Sequence, residues 1–153
     1  MQLEDQVVSL ALAKRLKELS VKQDSLFWWR KNSMASEPGV YYIPDREMMN
    51  LAVLSGKLEL ECAAFTVAEL GEMLPRRLPW ESKDLFLIVY LEIYPLGTRK
   101  GWLVNYVAER DGITYSPYAE EAATEADARA KLLISLIEKK LITPPTEAAK
   151  GGE

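Results

Sequence analysis

The sequence has no histidine and a single cysteine, Cys62. The first absence removes histidine acid–base catalysis, Ser-His-Asp triads and imidazole metal sites together. The second excludes an internal disulfide and a thiolate zinc site, and it fits a reducing, cytoplasmic setting. No metal and no cofactor are therefore expected. Neither a G-x-G-x-x-G after a strand nor a G-x-x-x-x-G-K-[ST] occurs, so the common nucleotide cradles are missing. The longest apolar run, "LFLIVYL" at 85–91, is strand-sized and well short of the ~18 residues a membrane span needs. The opening "MQLEDQ" lacks the basic and apolar regions of a secretory signal. A soluble protein with no membrane partner is the expectation.

What is present is ordinary for one globular domain: 153 residues, 48% hydrophobic and 27% charged, with a net charge of −4. An acidic chain is poorly suited to duplex nucleic acid, whose binding is built from clustered Lys and Arg. The charge is uneven, however. Residues 1–31 carry six bases (Lys14, Arg15, Lys17, Lys22, Arg30 and Lys31) against four acids, whereas 102–153 carry six bases against nine acids. A basic N-terminal face is one reading of this; a solvated amphipathic helix is the other.

Apolar spacing predicts a helix over about 3–19, with Val8, Leu12, Leu16 and Leu19 on one side. "LFWWRK" and "VYYI" follow as a hairpin with a long loop. Asp45 then caps a helix that should place Met48, Met49 and Ala52 inside and stop at Gly56. Thr66 and Glu69 have capping-box spacing, with Phe65 and Leu70 positioned as a hydrophobic staple. "RRLPWESKD" reads as a loop, followed by strands from Leu85, from Trp102 and from Ile113. The last helix starts at the Thr124–Asp127 cap, lines Ala126, Ala130, Leu133, Ile137 and Leu141 on one face, and offers the pairs Glu125–Arg129 and Asp127–Lys131. The predicted fold class is α+β: an antiparallel sheet of about four to five strands, with two hairpins, packed with three to four helices. It forms a single domain over 1–142, whose halves 1–62 and 63–142 share an element order, and 143–153 form a flexible tail.

Two weak chemical signals fail on inspection. "PDRE" at 44–47 lacks the acid-x-Lys of metal-dependent nucleases. The helix–strands–helix order over 66–141 matches a double-stranded-RNA-binding domain, but "TEADAR" places acid where that domain needs lysine. Aromatic residues remain. Strand alternation sends Trp28 and Trp29 to opposite faces, with Phe27 beside Trp29 and Arg30 beside Trp28. Trp29 is thus the expected core residue and Trp28 the rim residue. Tyr90 and Tyr94 share a face of one strand, Trp102 and Tyr106 a face of the next, and Arg99 and Lys100 sit on the turn between. If the face is open, these residues form a stacking surface beside a basic tip; if a helix covers it, they are core.

The phrases "LAKRLKELSVKQDSLFWW", "AAFTVAELGEMLP" and "EADARAKLLISLIEKKLI" resemble a family of small uncharacterised bacteriophage and prophage proteins over most of residues 10–142. Those proteins tend to have glycine where this chain has Ser20. "GWLVNYVAE" with the last helix is similar to a small helix-and-sheet sandwich domain of phage proteins. The resemblance implies a phage accessory protein in the cytoplasm of a bacterial host, and it implies no catalytic residues. Three readings follow from the whole sequence. The first is a non-enzymatic binding module for a host or phage protein. The second is a binder of a small nucleotide-like ligand held by aromatic faces and arginine, and the third is a histidine-free enzyme. A homo-oligomer stays open.

Overall fold

The computed structural model describes residues 3–31, 39–56, 59–82, 85–97 and 100–146. A 3-10 turn at Leu3–Asp5 precedes α1 (Leu10–Glu18), β1 (Phe27–Arg30), β2 (Val40–Tyr42), α2 (Arg46–Leu54) and β3 (Leu60–Ala63). Then come α3 (Val67–Met73), β4 (Arg77–Ser82), β5 (Leu85–Pro95), β6 (Trp102–Arg110), β7 (Ile113–Ala122) and α4 (Glu125–Glu138). The strands form two antiparallel sheets, one ordered β2-β1-β3 and the other β4-β5-β6-β7. The α+β class is as expected, but the described strands number seven and divide between two sheets. The strand that sequence reasoning read as a loop, β4, carries Pro79 and lies at a sheet edge, where a missing N–H costs no ladder bond.

The helix expected over 3–19 is interrupted. Val7 bridges to Thr66, and the Val8 amide donates to the Phe65 carbonyl at 2.8 Å. Both valines are fully buried. An extended segment buries two adjacent β-branched side chains on opposite sides, which one stripe of a helix does not. The Ser9 amide then donates to Asp127 Oδ1 at 2.7 Å, so α1 begins against the start of α4. This uses the carboxylate expected to pair with Lys131, and Lys131 instead donates to the Glu121 carbonyl. The other predicted pair, Glu125–Arg129, forms.

Helix ends obey local rules with two exceptions in residue type. The α3 capping box between Thr66 and Glu69 is complete, and Phe65 and Leu70 beside it are fully buried. Asp45 Oδ1 accepts from the Met48 amide at 2.7 Å, and Gly56 after α2 has φ 64°. After α1, the Ser20 and Val21 amides donate to the carbonyls of Lys17 and Leu16. After α4, Lys140 and Leu141 donate likewise to Ile137 and Leu136. These are Schellman closures, whose left-handed residue is usually glycine. Here it is Ser20 at φ 64° and Lys140 at φ 58°.

The core is organised by α4. It packs on β6 and β7 on one side and on α1 and α3 on the other, and α1 in turn packs on β3. Burial accordingly extends round the helix to Ala128, Leu132 and Leu136 as well as the predicted Leu133 and Ile137, while Leu141, beyond its end, is exposed. Beyond α4 the Pro145 carbonyl accepts from the Lys22 amide, so the segment expected as tail from 143 is anchored at this point; 147–153 lie outside the described residues.

Candidate functional site

The two tryptophans of "LFWWRK" divide as strand geometry requires. Trp29 is 7% exposed, faces Cys62 across β3, and donates its indole N–H to the Val8 carbonyl at 2.9 Å. Trp28 is half-buried and donates to the Ser25 carbonyl of its own loop. Tyr41 lies opposite Trp28 on β2, and Arg30 rests over the Tyr41 ring at 5.8 Å while donating to its hydroxyl. Trp28 therefore stands with Arg30 and Tyr41, half-buried at the margin of the core.

Beside Trp28 is a cleft of about 340 Å³ floored by Ile43 and Met49 and lined by the carboxylates of Asp24, Asp45, Glu69 and Glu72. Glu69 is committed to the α3 cap and accepts from Ser25, and Asp24 pairs with Lys22. The cleft is acidic even so, and it favours a cation over a phosphate. The expected N-terminal basic face is correspondingly quiet, because each of its six bases is engaged. Lys14 pairs with Glu61, Arg15 with Glu18 and Glu138, Lys22 with Asp24, and Lys31 with Glu59. Lys17 donates to the Glu61 carbonyl and Arg30 to Tyr41.

Exposed apolar side chains are frequent in the same stretch of chain. Leu26 at the cleft's rim, Tyr41 opposite Trp28, and Met48, Leu51 and Leu54 on α2 are exposed, Leu54 at 85%, and so is Tyr42, whose ring packs with Phe27 on the other face of the strands. The other large apolar residues exposed among those described, Tyr94, Ile113 and Leu141, are scattered. Met48 is thus outside the core, contrary to the sequence expectation. Its neighbourhood gave a signal: α2 has apolar residues at 48, 49, 51, 52, 53 and 54, more than one helix face can bury.

The remaining predicted site residues do not assemble into one surface. In the β5–β6 register Pro95 faces Trp102 and Tyr94 faces Leu103, so Tyr94 and Trp102 are on opposite faces of the sheet. Tyr106 is fully buried and donates its hydroxyl to the Pro75 carbonyl; burial raises its pKa. It is a core residue. Tyr90 occupies a register position between Arg77 and Val107, and Arg99 lies outside the described residues. Lys100 and half-buried Trp102 line a second cavity of about 710 Å³ together with Phe27 and Val67.

The lone cysteine is buried. Burial pushes the Cys62 thiol up to about 11, which removes its thiolate at neutral pH. Among the described residues no three or more metal-ligating side chains converge. No described helix is long and apolar enough to cross a membrane. No family model, curated protein or solved structure matches the chain.

Proposed function

We propose that the chain is a non-enzymatic binding module whose partner, a host or phage protein, docks on β1, β2 and α2. One observation carries this: among the described residues, six of the nine exposed large apolar side chains come from residues 26–54, the stretch that also supplies Trp28, Ile43 and Met49 to the cleft. Soluble domains seldom leave such a concentration uncovered without a partner. The acidic cleft defines the partner further, as an amphipathic helix with a lysine or arginine on its flank. Its apolar face covers Leu51 and Leu54, and the basic side chain lies along Trp28 toward Asp45 and Glu72. Buried Cys62 and Tyr106 support a role other than nucleophilic catalysis. The similarity of three sequence phrases to phage and prophage proteins supports a bacterial host as the setting.

The test compares affinity capture by the wild type and by Leu51→Asp/Leu54→Asp, two exposed positions whose change leaves folding intact. A protein recovered with the wild type and lost with the double variant, at equal melting temperature, is the expected result. Equal recovery by both chains, or native mass spectrometry showing a retained small molecule and no protein, would overturn the proposal.

A further inference from the structure

The second cavity has walls from five separate parts of the chain. The N-terminal arm contributes Leu3 and Val7, β1 contributes Phe27, and the first turn of α3 contributes Val67 and Ala68. Trp102 and the residues before α4 complete it. The arm is fastened at the start of α3 by the Val7–Thr66 bridge, so this wall belongs to the folded core rather than to a loose end. At about 710 Å³ the space is roughly twice that of the Trp28 cleft and is mostly apolar. Its size is that of small-molecule pockets, which run from ~300 to ~1,000 Å³ and place few polar groups around an apolar lining.

Among the described residues three charged side chains line the cavity, and their states differ. Glu125 accepts from both Nε and Nη2 of Arg129, a pair that is mostly buried. Asp5 is engaged elsewhere. Lys100 is exposed and makes no ion pair among the described residues. One unbalanced positive charge therefore stands beside an aromatic and aliphatic surface. A nucleotide polyphosphate would bring several negative charges to a single lysine near two carboxylates, a mismatch that one anionic group avoids.

We infer that this cavity binds a small aromatic carboxylate, its ring system between Trp102, Phe27 and Val67 and its carboxylate on Lys100. The site is separate from the Trp28 face, and it stands whether or not a protein docks there.

The test uses 2-naphthoate and its neutral amide, 2-naphthamide, in calorimetric titrations of the full chain. Two variants at exposed positions probe the two halves of the recognition: Lys100→Gln for the charge and Ala68→Trp to fill the apolar space. Naphthoate is expected to bind saturably, in the tens to hundreds of micromolar, and about fivefold more tightly than the amide, as an exposed ion pair permits. Lys100→Gln should erase that difference while leaving amide binding unchanged, and Ala68→Trp should weaken both ligands at least tenfold. Thermal melting of each variant checks folding. Absence of saturable binding below about 1 mM, equal affinities of acid and amide, or undiminished binding by Ala68→Trp would each overturn the inference.

Discussion

Helices α2 and α4 are both rich in apolar residues, yet they end in opposite surroundings. Helix α4 lies between β6 and β7 on one side and α1 and α3 on the other, and consecutive residues Leu132, Leu133 and Ile134 are buried. Helix α2 packs closely on no other described element and leaves Met48, Leu51 and Leu54 in water. Apolar content measures how much a helix gains from being covered, and it does not say what will cover it. Where the chain supplies no cover, the same pattern marks a place for another molecule.

The sharpest break of this contrast lies in β1, where covered and bare sides share one strand. Trp29→Ala should cost about 3–5 kcal/mol and Trp28→Ala less than half as much. Thermal melting of the two variants measures this directly, and equal losses would make both rings core. The helices repeat the comparison at a smaller scale. Leu136→Ala in α4 should cost about 2–5 kcal/mol, whereas Leu51→Ala in α2 should stay within ~0.5 kcal/mol. A large loss from Leu51 in urea unfolding would show that α2 is covered by this chain after all.

Helix ends offer a gain rather than a loss. Ser20→Gly relieves a left-handed residue that is not glycine and should stabilise the fold by about 0.5–1 kcal/mol, read as a rise in the urea midpoint. An unchanged or lower midpoint would refute this. The finest probe is Cys62, behind Trp29. Its thiol is held protonated up to about 11 against an ordinary 9.0, so the native protein should resist thiol labelling at pH 8 and react only on unfolding. Between those two values the unfolded thiol ionises while the folded one does not, so the contribution of this group to stability falls as pH rises. Rapid labelling of native protein would show that the Trp29 side opens readily.

Features set by short spans of sequence were legible before the structure. The Thr66–Glu69 box, the Asp45 cap, the Glu125–Arg129 pair and the division between Trp28 and Trp29 depend only on residues within four positions of one another. Features set by distant partners were not. Val7 and Val8 leave the helical pattern because Thr66 and Phe65 bind them, and Asp127 turns from Lys131 to the Ser9 amide. Tyr94 and Trp102 were placed on one stacking surface because alternation along each strand was clear, but the pairing between the strands was not. A shift of one position in register exchanges the faces of a strand. The candidate docking surface was legible only as an excess of apolar residues in α2, and the acids beside Trp28 come from three separate segments.

The Ser9–Asp127 hydrogen bond joins residues 118 apart, and the Arg15–Glu138 ion pair spans 123. Helix α1 is therefore made early and completed late. On a ribosome working at ~5–20 residues per second, its apolar side waits on the order of ten seconds for α4 to emerge. During that interval the side of α1 that α4 covers has no permanent partner, and a nascent chain in this state is a natural client for a chaperone. Slow translation of the segment between β3 and β7 would lengthen the exposure without changing one contact of the finished protein.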